Sequence, residues 1–469
     1  MSAFFEKLVS GRKGWLVIYL VFLGAYLGAS GGRLRHASQA NHYVYLAEGW
    51  LEGRMFMKGP PPNENDWGLM EVLTLTDGRT VQGQFRKSGS PDRFHYSKGG
   101  SEIITSEKIA SRSSKRFVSF PPFPAVLMLL FVAIWKLQLN DVLFNCFWAA
   151  LNPVLLFALL RRLERRGYST RRMADDLWLT VLFGAGSVYY YCSVVGQVWY
   201  TAHIVGVTMV LVYTWAAVDA QKPWLAGLSV ALAYCCRPSL AFIFPFFVFE
   251  TVRVSGGWAE LWLKAKANKL PPGLMGKLFQ FAVPAAGILL LVLVYNYARF
   301  GGLTLDFGHT YLNIAWKDRI ERWGLFNYHF LSRNLACALV LMPRILAAYP
   351  YVKVCHHGMS LLITSPNLGY LLAPSPKSVL SRGLWLTVLS TALPSLLYQN
   401  SGFIQFGYRF SLDYMVFLVV LLAVRGRPIT WVFKMLVVIA VGINLFGAII
   451  FDRFSQFTYD DSFFPHGFN

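Results

Sequence analysis

The chain has 469 residues, 55% of them hydrophobic and 14% charged, with a net charge of +20. That composition excludes a water-soluble globular protein of this size and indicates a helical membrane protein. It also excludes nucleic acid as the target of the positive charge, because Lys and Arg collect in short loops between apolar runs, as cytoplasmic loops require.

Residues 14 to 30 (GWLVIYLVFLGAYLGAS) follow Lys7, Arg12 and Lys13 and read as a signal peptide or a first span; we expect a retained span with its N-terminus inside. The first outer loop then covers 31 to 140. Its stretch 33 to 57 predicts an amphipathic helix along the interface, with Tyr43, Leu46, Ala47 and Leu51 on one side. EVLTLT and TVQGQF flank Asp77 and Gly78, a hairpin pair in which Gly supplies positive φ, and SEIITSEKI follows as a third strand. These predict a small β insertion at about 68 to 112, either a tolerated surface excursion or a docking module for protein partners.

The run 121 to 137 (PPFPAVLMLLFVAIWKL) is pivotal, since a full crossing there would invert every later span. Read as a helix skimming the outer interface, it keeps Arg161, Arg162, Arg165, Arg166, Arg171 and Arg172 cytoplasmic. Arg253, Lys264, Lys266, Lys269, Lys277, Lys377, Arg382, Arg425 and Arg427 then fall inside as well. Pro121, Pro122 and Pro124 block a helix arriving from upstream. Further spans are expected at about 141–160, 177–193, 200–218, 224–236, 239–251 and 279–298. After a second outer loop at 299–357 come spans at about 358–374, 383–398, 409–424 and 430–450, then a tail at 451–469. The expected fold is an all-α membrane protein of about eleven transmembrane helices, with interfacial helices and the β insertion in its outer loops. Of the six cysteines, only Cys337 and Cys355 are candidates for a bridge.

Tyr43, Ala47 and Leu51 keep a Tyr-x3-Ala-x3-Leu spacing in the first loop, and Phe120, Pro121 and Pro122 precede the second interfacial helix. GLSVALAYCCRPSL, VYNYARFG and QFGYRFSLDYMVFLVVLLA follow later in the chain. This order of parts resembles the C superfamily of glycosyltransferases (GT-C), which includes protein mannosyltransferases and the bacterial aminoarabinose transferase. The resemblance implies transfer of a sugar from a polyprenyl-phosphate-linked donor to an acceptor at the extracytoplasmic face, in a bacterial cytoplasmic membrane. It implies no cofactor beyond that donor, and membrane lipids and polyprenyl phosphate as partners. The family's acidic motif falls on Gln39 and Ala40, and Phe120 stands where it has the lysine of a Lys-Pro-Pro turn. Either other residues carry these roles, or the chain is a catalytically inactive structural or assembly subunit.

Inverting transfer needs a carboxylate to deprotonate the acceptor and cations to hold the charge developing on the leaving phosphate. Glu48 is the nearest acid in the first loop, a base or a solvated charge on its helix. Asp306 lies just past a span and reads as a second acid or a cap. Arg237, in a helix break within a long apolar stretch, and Arg299, with Asn296 beside it, are candidate phosphate contacts or snorkelling cations. Arg344 reads as an interface anchor. Tyr408, Arg409 and Asp413 form a cluster in which Arg409 and Asp413, four apart, face the same way, for ligand binding or for an internal pair. His203, beside Trp199 and Tyr200, reads as part of an aromatic belt, and His356 and His357 lack partners at metal-ligand spacing.

Overall fold

The structure, a computed structural model, describes residues 11–85, 92–312, 317–374 and 378–460. Lys7 and Lys377 lie outside the described residues. The protein is mostly helical, 62% helix against 10% strand. Helix α1 (Arg12–Ser30) leads to the shorter α2 (His42–Leu51). An antiparallel sheet follows: β1 (Trp67–Leu75), β2 (Thr80–Phe85), β3 (Arg93–Tyr96), β4 (Ser101–Ile103) and β5 (Ile109–Val118), in the spatial order β4-β3-β2-β1-β5. Gly78 turns the chain between β1 and β2 at φ 85°. Then come α3 (Phe123–Trp135), α4 (Asp141–Arg165), α5 (Met173–Gly184), α6 (Gln197–Ala217) and α7 (Pro223–Tyr234). They are followed by α8 (Pro245–Val254), α9 (Gly257–Lys266), α10 (Leu274–Phe300), α11 (Ser381–Leu397), α12 (Leu412–Val424) and α13 (Trp431–Ile450).

Among the described residues, five helices are long and apolar enough to cross a membrane: Lys13–Arg35, Asp141–Arg165, Gln197–Ala220, Leu274–Phe300 and Trp431–Ile450. A sixth arises if Pro238–Val254 and Gly257–Lys266, bent by 75°, count as one span. The other expected spans are shorter helices or are interrupted. The stretch 177–193 divides between α5 and a separate turn at Tyr189–Ser193, and 358–374 between Leu361–Thr364 and Pro366–Leu371. Pro366 ends the first of those turns, since it has no N–H to continue a helix.

Helix α4 shows how irregular backbone is made tolerable in an apolar surround. The side chain of Asn140 caps its start, accepting from Val142 N (2.9 Å) and Leu143 N (3.0 Å). Pro153, inside the helix, cannot donate to the carbonyl of Ala149. Tyr189 does so instead, through its hydroxyl at 2.8 Å. Asn152 donates to Tyr189 Oη (2.8 Å) and to Ile204 O (2.9 Å), tying α4 to α6. Elsewhere helices approach closely over glycine: a Cβ on Gly227 in α7 would stand 1.9 Å from Phe281 O in α10.

The bundle has two chemically distinct ends. At one, where α4, α6 and α8 finish, Arg161 meets Asp176 (2.8 Å), Arg166 and Arg253 meet Asp219 (2.9 and 2.6 Å), and Arg253 meets Glu250 (2.8 Å). Arg162 donates to Trp215 O, Arg171 to Ala423 O and Arg425 to Leu371 O, supplying donors to carbonyls that helix ends leave unpaired. At the other end Arg33, after α1, donates to Ala448 O and Phe451 O at the close of α13, and Arg453, after α13, donates to Ala29 O and Ser30 O. This second end also carries the sheet, α2 and α3. The N–H of Phe123, opening α3, donates to Cys235 O just past α7, while α4, following α3, starts at Asp141, which accepts from Ser38 N and Gln197 N. Helix α3 thus leaves from and returns to one end, and its 13 residues reach only about 20 Å.

Two expectations need correction. On α2, Tyr43, Leu46 and Ala47 are buried, but Leu51 is 51% exposed and turns away from them, because the helix stops there and the chain peels off through Gly53. All six cysteines are buried and none is joined in a disulfide, so the expected bridge between Cys337 and Cys355 is absent.

Candidate functional site

A cavity of about 280 Å³ opens at the end of the bundle that carries the sheet. Its walls come from the loop before β1, the turn before α3, the start of α6, the break after α7, the loop after α10 and the turn before α12. Asp66, Asp306, Arg237, Arg409 and His309 line it, among Phe120, Pro121, Trp199 and Phe410.

Asp66 is held from every side. Its backbone takes φ 59°, a left-handed conformation that Asp tolerates better than most residues. Ser119 Oγ donates to its carbonyl at 2.9 Å, and Trp199 Nε1 donates to its Oδ2 at 2.7 Å. The residue before it, Asn65, bonds through its carbonyl to His42 Nε2 at 3.0 Å, and the residue after it, Trp67, stacks on the His42 ring at 4.0 Å. Burial raises the Asp66 carboxyl above the usual carboxylate range, opposed by the Trp199 N–H and by the positive fields of His309 and Arg409. A constrained, desolvated carboxylate next to cations in a cleft has the physical character of a functional group.

Asp66 was not among the residues singled out from the sequence. Reading along the chain placed the acidic position at Gln39 and Ala40. In space the loop 63–66 folds over that stretch: Asn63 Nδ2 donates to Gln39 O at 2.5 Å, and Val198 N donates to Ala40 O at 2.8 Å. A downstream segment therefore carries a carboxylate to where α2 begins. The legible signal was an acid between Asn65 and Trp67 at the mouth of a strand.

The residues singled out from the sequence divide into three groups. Arg237, Arg409 and Asp306 line the cavity. Asp306 also acts as a loop cap, its Oδ1 accepting from Gly308 N (3.2 Å) and His309 N (3.0 Å), which aims His309 at the same space. Asn296, Arg299, Tyr408 and Asp413 are buried and do not line the cavity, but support it. Asn296 donates to Thr304 O (2.7 Å), and Arg299 to Phe307 O (3.3 Å) and Val118 O, fixing the loop that presents Asp306. Tyr408 packs edge-on against Phe410. Glu48 stands apart, half-buried on α2 among Glu52, Arg54, Lys58 and Lys136, with its carboxyl raised mainly by burial.

The expected pairing of Arg409 with Asp413 is corrected. Asp413 accepts from Arg237 Nε (2.8 Å) and Nη2 (3.2 Å) and from Ser239 Oγ (2.6 Å), and His203 Nδ1 lies 3.3 Å away. Four-residue spacing failed because Arg409–Ser411 is a tight 3-10 turn rather than part of α12, so the two side chains leave in different directions. Arg409 donates from Nη1 to Ile404 O (3.2 Å) and from its backbone to Gln405 Oε1 (2.9 Å), and lies over Tyr200. Its Nε is buried without a partner among the described residues. His203, read from sequence as a belt residue, is buried in the Asp413 cluster.

The arrangement joins a desolvated carboxylate and two guanidinium groups across one cleft with aromatic walls. No protein-family model matches the chain, and neither does any curated protein or solved structure.

Proposed function

We propose that the chain is a GT-C-like transferase that moves a sugar from a polyprenyl-phosphate donor to an acceptor at the extracytoplasmic face of a bacterial cytoplasmic membrane. The observation that carries this reading is Asp66 and Arg409 facing one cavity at the end of the bundle opposite the arginine-rich loops. The topology is about eleven crossings with the N-terminus inside. The short helices α5, α7, α8, α11 and α12 and the broken stretch 361–371 supply crossings beyond the long helices.

In this mechanism Asp66 takes the proton of the acceptor hydroxyl as its oxygen bonds to the anomeric carbon. The bond from that carbon to the phosphate oxygen breaks, and the electron pair leaves on the polyprenyl phosphate. Arg409 and the edge of Arg237 stabilise that charge, at sites already oriented by Ile404 O and Asp413. A raised Asp66 pKa suits a base, because proton affinity rises with it.

The test is release of polyprenyl phosphate from a polyprenyl-phosphate hexose by the purified protein in nanodiscs. Asp66→Asn is expected to cut the rate about 100-fold or more while the protein stays folded. Wild-type protein that shows no turnover, binds no polyprenyl phosphate in its native membrane and copurifies with a stoichiometric partner would instead identify a structural subunit.

A further inference from the structure

At the arginine-rich end a second hollow, of about 480 Å³, opens between the last turn of α8, the first turn of α9 and the start of α11. Arg253, Arg382 and Arg425 line it, with Trp258, Trp385 and Ser381; no Asp or Glu does so among the described residues. We infer that this hollow binds the phosphate head group of an anionic phospholipid.

The cations are placed rather than merely numerous. Arg253 is locked by Glu250 and Asp219, and Arg425 by the carbonyls of Leu371 (2.5 Å) and Ala373 (3.0 Å). Neither can swing away when the site empties. Arg382 is exposed at the first turn of α11 and is the cation left to close on a ligand. Planar guanidinium groups match phosphate oxygens two at a time, and basic pockets between helices at a membrane surface select phosphate head groups. Trp258, 55% exposed at the rim, is the residue type that settles at head-group depth.

The helix below the hollow favours a lipid over free phosphate. Leu386, Leu389 and Leu393 are all exposed, at 49%, 65% and 53%, and follow Arg382 at the spacing of one helix face. A ligand whose phosphate sits by Arg382 has an apolar track for its acyl chains directly beneath. Inorganic phosphate would use none of it.

The experiment is native mass spectrometry of the full chain in detergent micelles doped with phosphatidylglycerol or with phosphatidylcholine, alongside melting curves with inorganic phosphate. The wild type is expected to retain one phosphatidylglycerol at least tenfold better than phosphatidylcholine, on the order of the strength of one charge-assisted hydrogen bond. Arg382→Gln should lose that preference about tenfold at an unchanged melting temperature, and Arg382→Lys should restore part of it. Lys269→Gln, a cation of the same end outside the hollow, should change nothing. Equal retention of both lipids, equal retention by Arg382→Gln, or stabilisation of the lipid-free protein by inorganic phosphate alone would each overturn the assignment. The hollow shares no residue with the cavity containing Asp66, so the two proposals fail separately.

Discussion

His42 couples the order of the loop carrying Asp66 to pH. It is fully buried, stacked on Trp67 and bonded to the carbonyl of Asn65, and burial pushes its pKa from 6.5 down to about 4. An unfolded chain takes up that proton near pH 6.5, the folded one only near 4, so acidification between these values favours unfolding. The loss reaches about 3 kcal/mol at the lower limit. The melting temperature of the wild type is expected to fall between pH 6.5 and 4.5, and His42→Phe, which keeps a ring on Trp67, should fall less. His357, also lowered to about 4, leaves a residual slope in both proteins. Parallel profiles would remove His42 as the coupling group. The same scale shows what reading the sequence can and cannot reach. Arg237 was legible because a cation inside an apolar run must find a partner. That the partner is Asp413 was not, because the contact joins residues 176 apart in the chain. Asp66 was invisible for the same reason: its importance comes from Trp199, Ser119 and His42, none of them its neighbour in sequence.

Among the elements, α4 offers a test of how a proline is accommodated in a spanning helix. Tyr189 Oη serves the carbonyl that Pro153 cannot, so Tyr189→Phe leaves Ala149 O buried and unpaired. The expected cost is about 1–3 kcal/mol. Restoring the backbone donor with Pro153→Ala should recover part of it, making the double variant more stable than Tyr189→Phe alone. A thermal double-mutant cycle reads this coupling directly; strictly additive effects would show that the two groups do not share the carbonyl. Composition and periodicity located α1, α4, α6, α10 and α13 close to their observed limits, because long uninterrupted apolar runs have one cheap conformation in a bilayer. They placed α5 and the 358–374 stretch less well, where Gly, Ser and Pro interrupt the run and side chains from distant helices decide which carbonyls are satisfied. Asn444 donating to Thr364 O and Asn367 to Phe433 O are contacts of that kind.

At the scale of the whole molecule, the proposed orientation rests on charge asymmetry between the two ends. The arginine-rich end gathers Arg161, Arg162, Arg165, Arg166, Arg171 and Arg253 with the lysines of the stretch 264–277, whereas the sheet end meets its arginines largely with main-chain carbonyls or the sheet's own carboxylates. In the proposed reading, the positive-inside rule faces the cavity outward, and a lipid-linked donor is the one that this orientation requires. Because every cysteine is buried, a single exposed cysteine can report its side of the membrane without background. Ser113→Cys on β5 should react with a membrane-impermeant maleimide on intact cells, and Lys269→Cys, beyond α9, only after permeabilisation, since Ser113 and Lys269 are both exposed in the structure. The reverse pattern would turn the cavity to the cytoplasm, where Asp66 would face soluble donors and the lipid-linked mechanism would lose its physical basis. Labelling of both from outside would mean that α3 crosses after all and that the helices between them are miscounted.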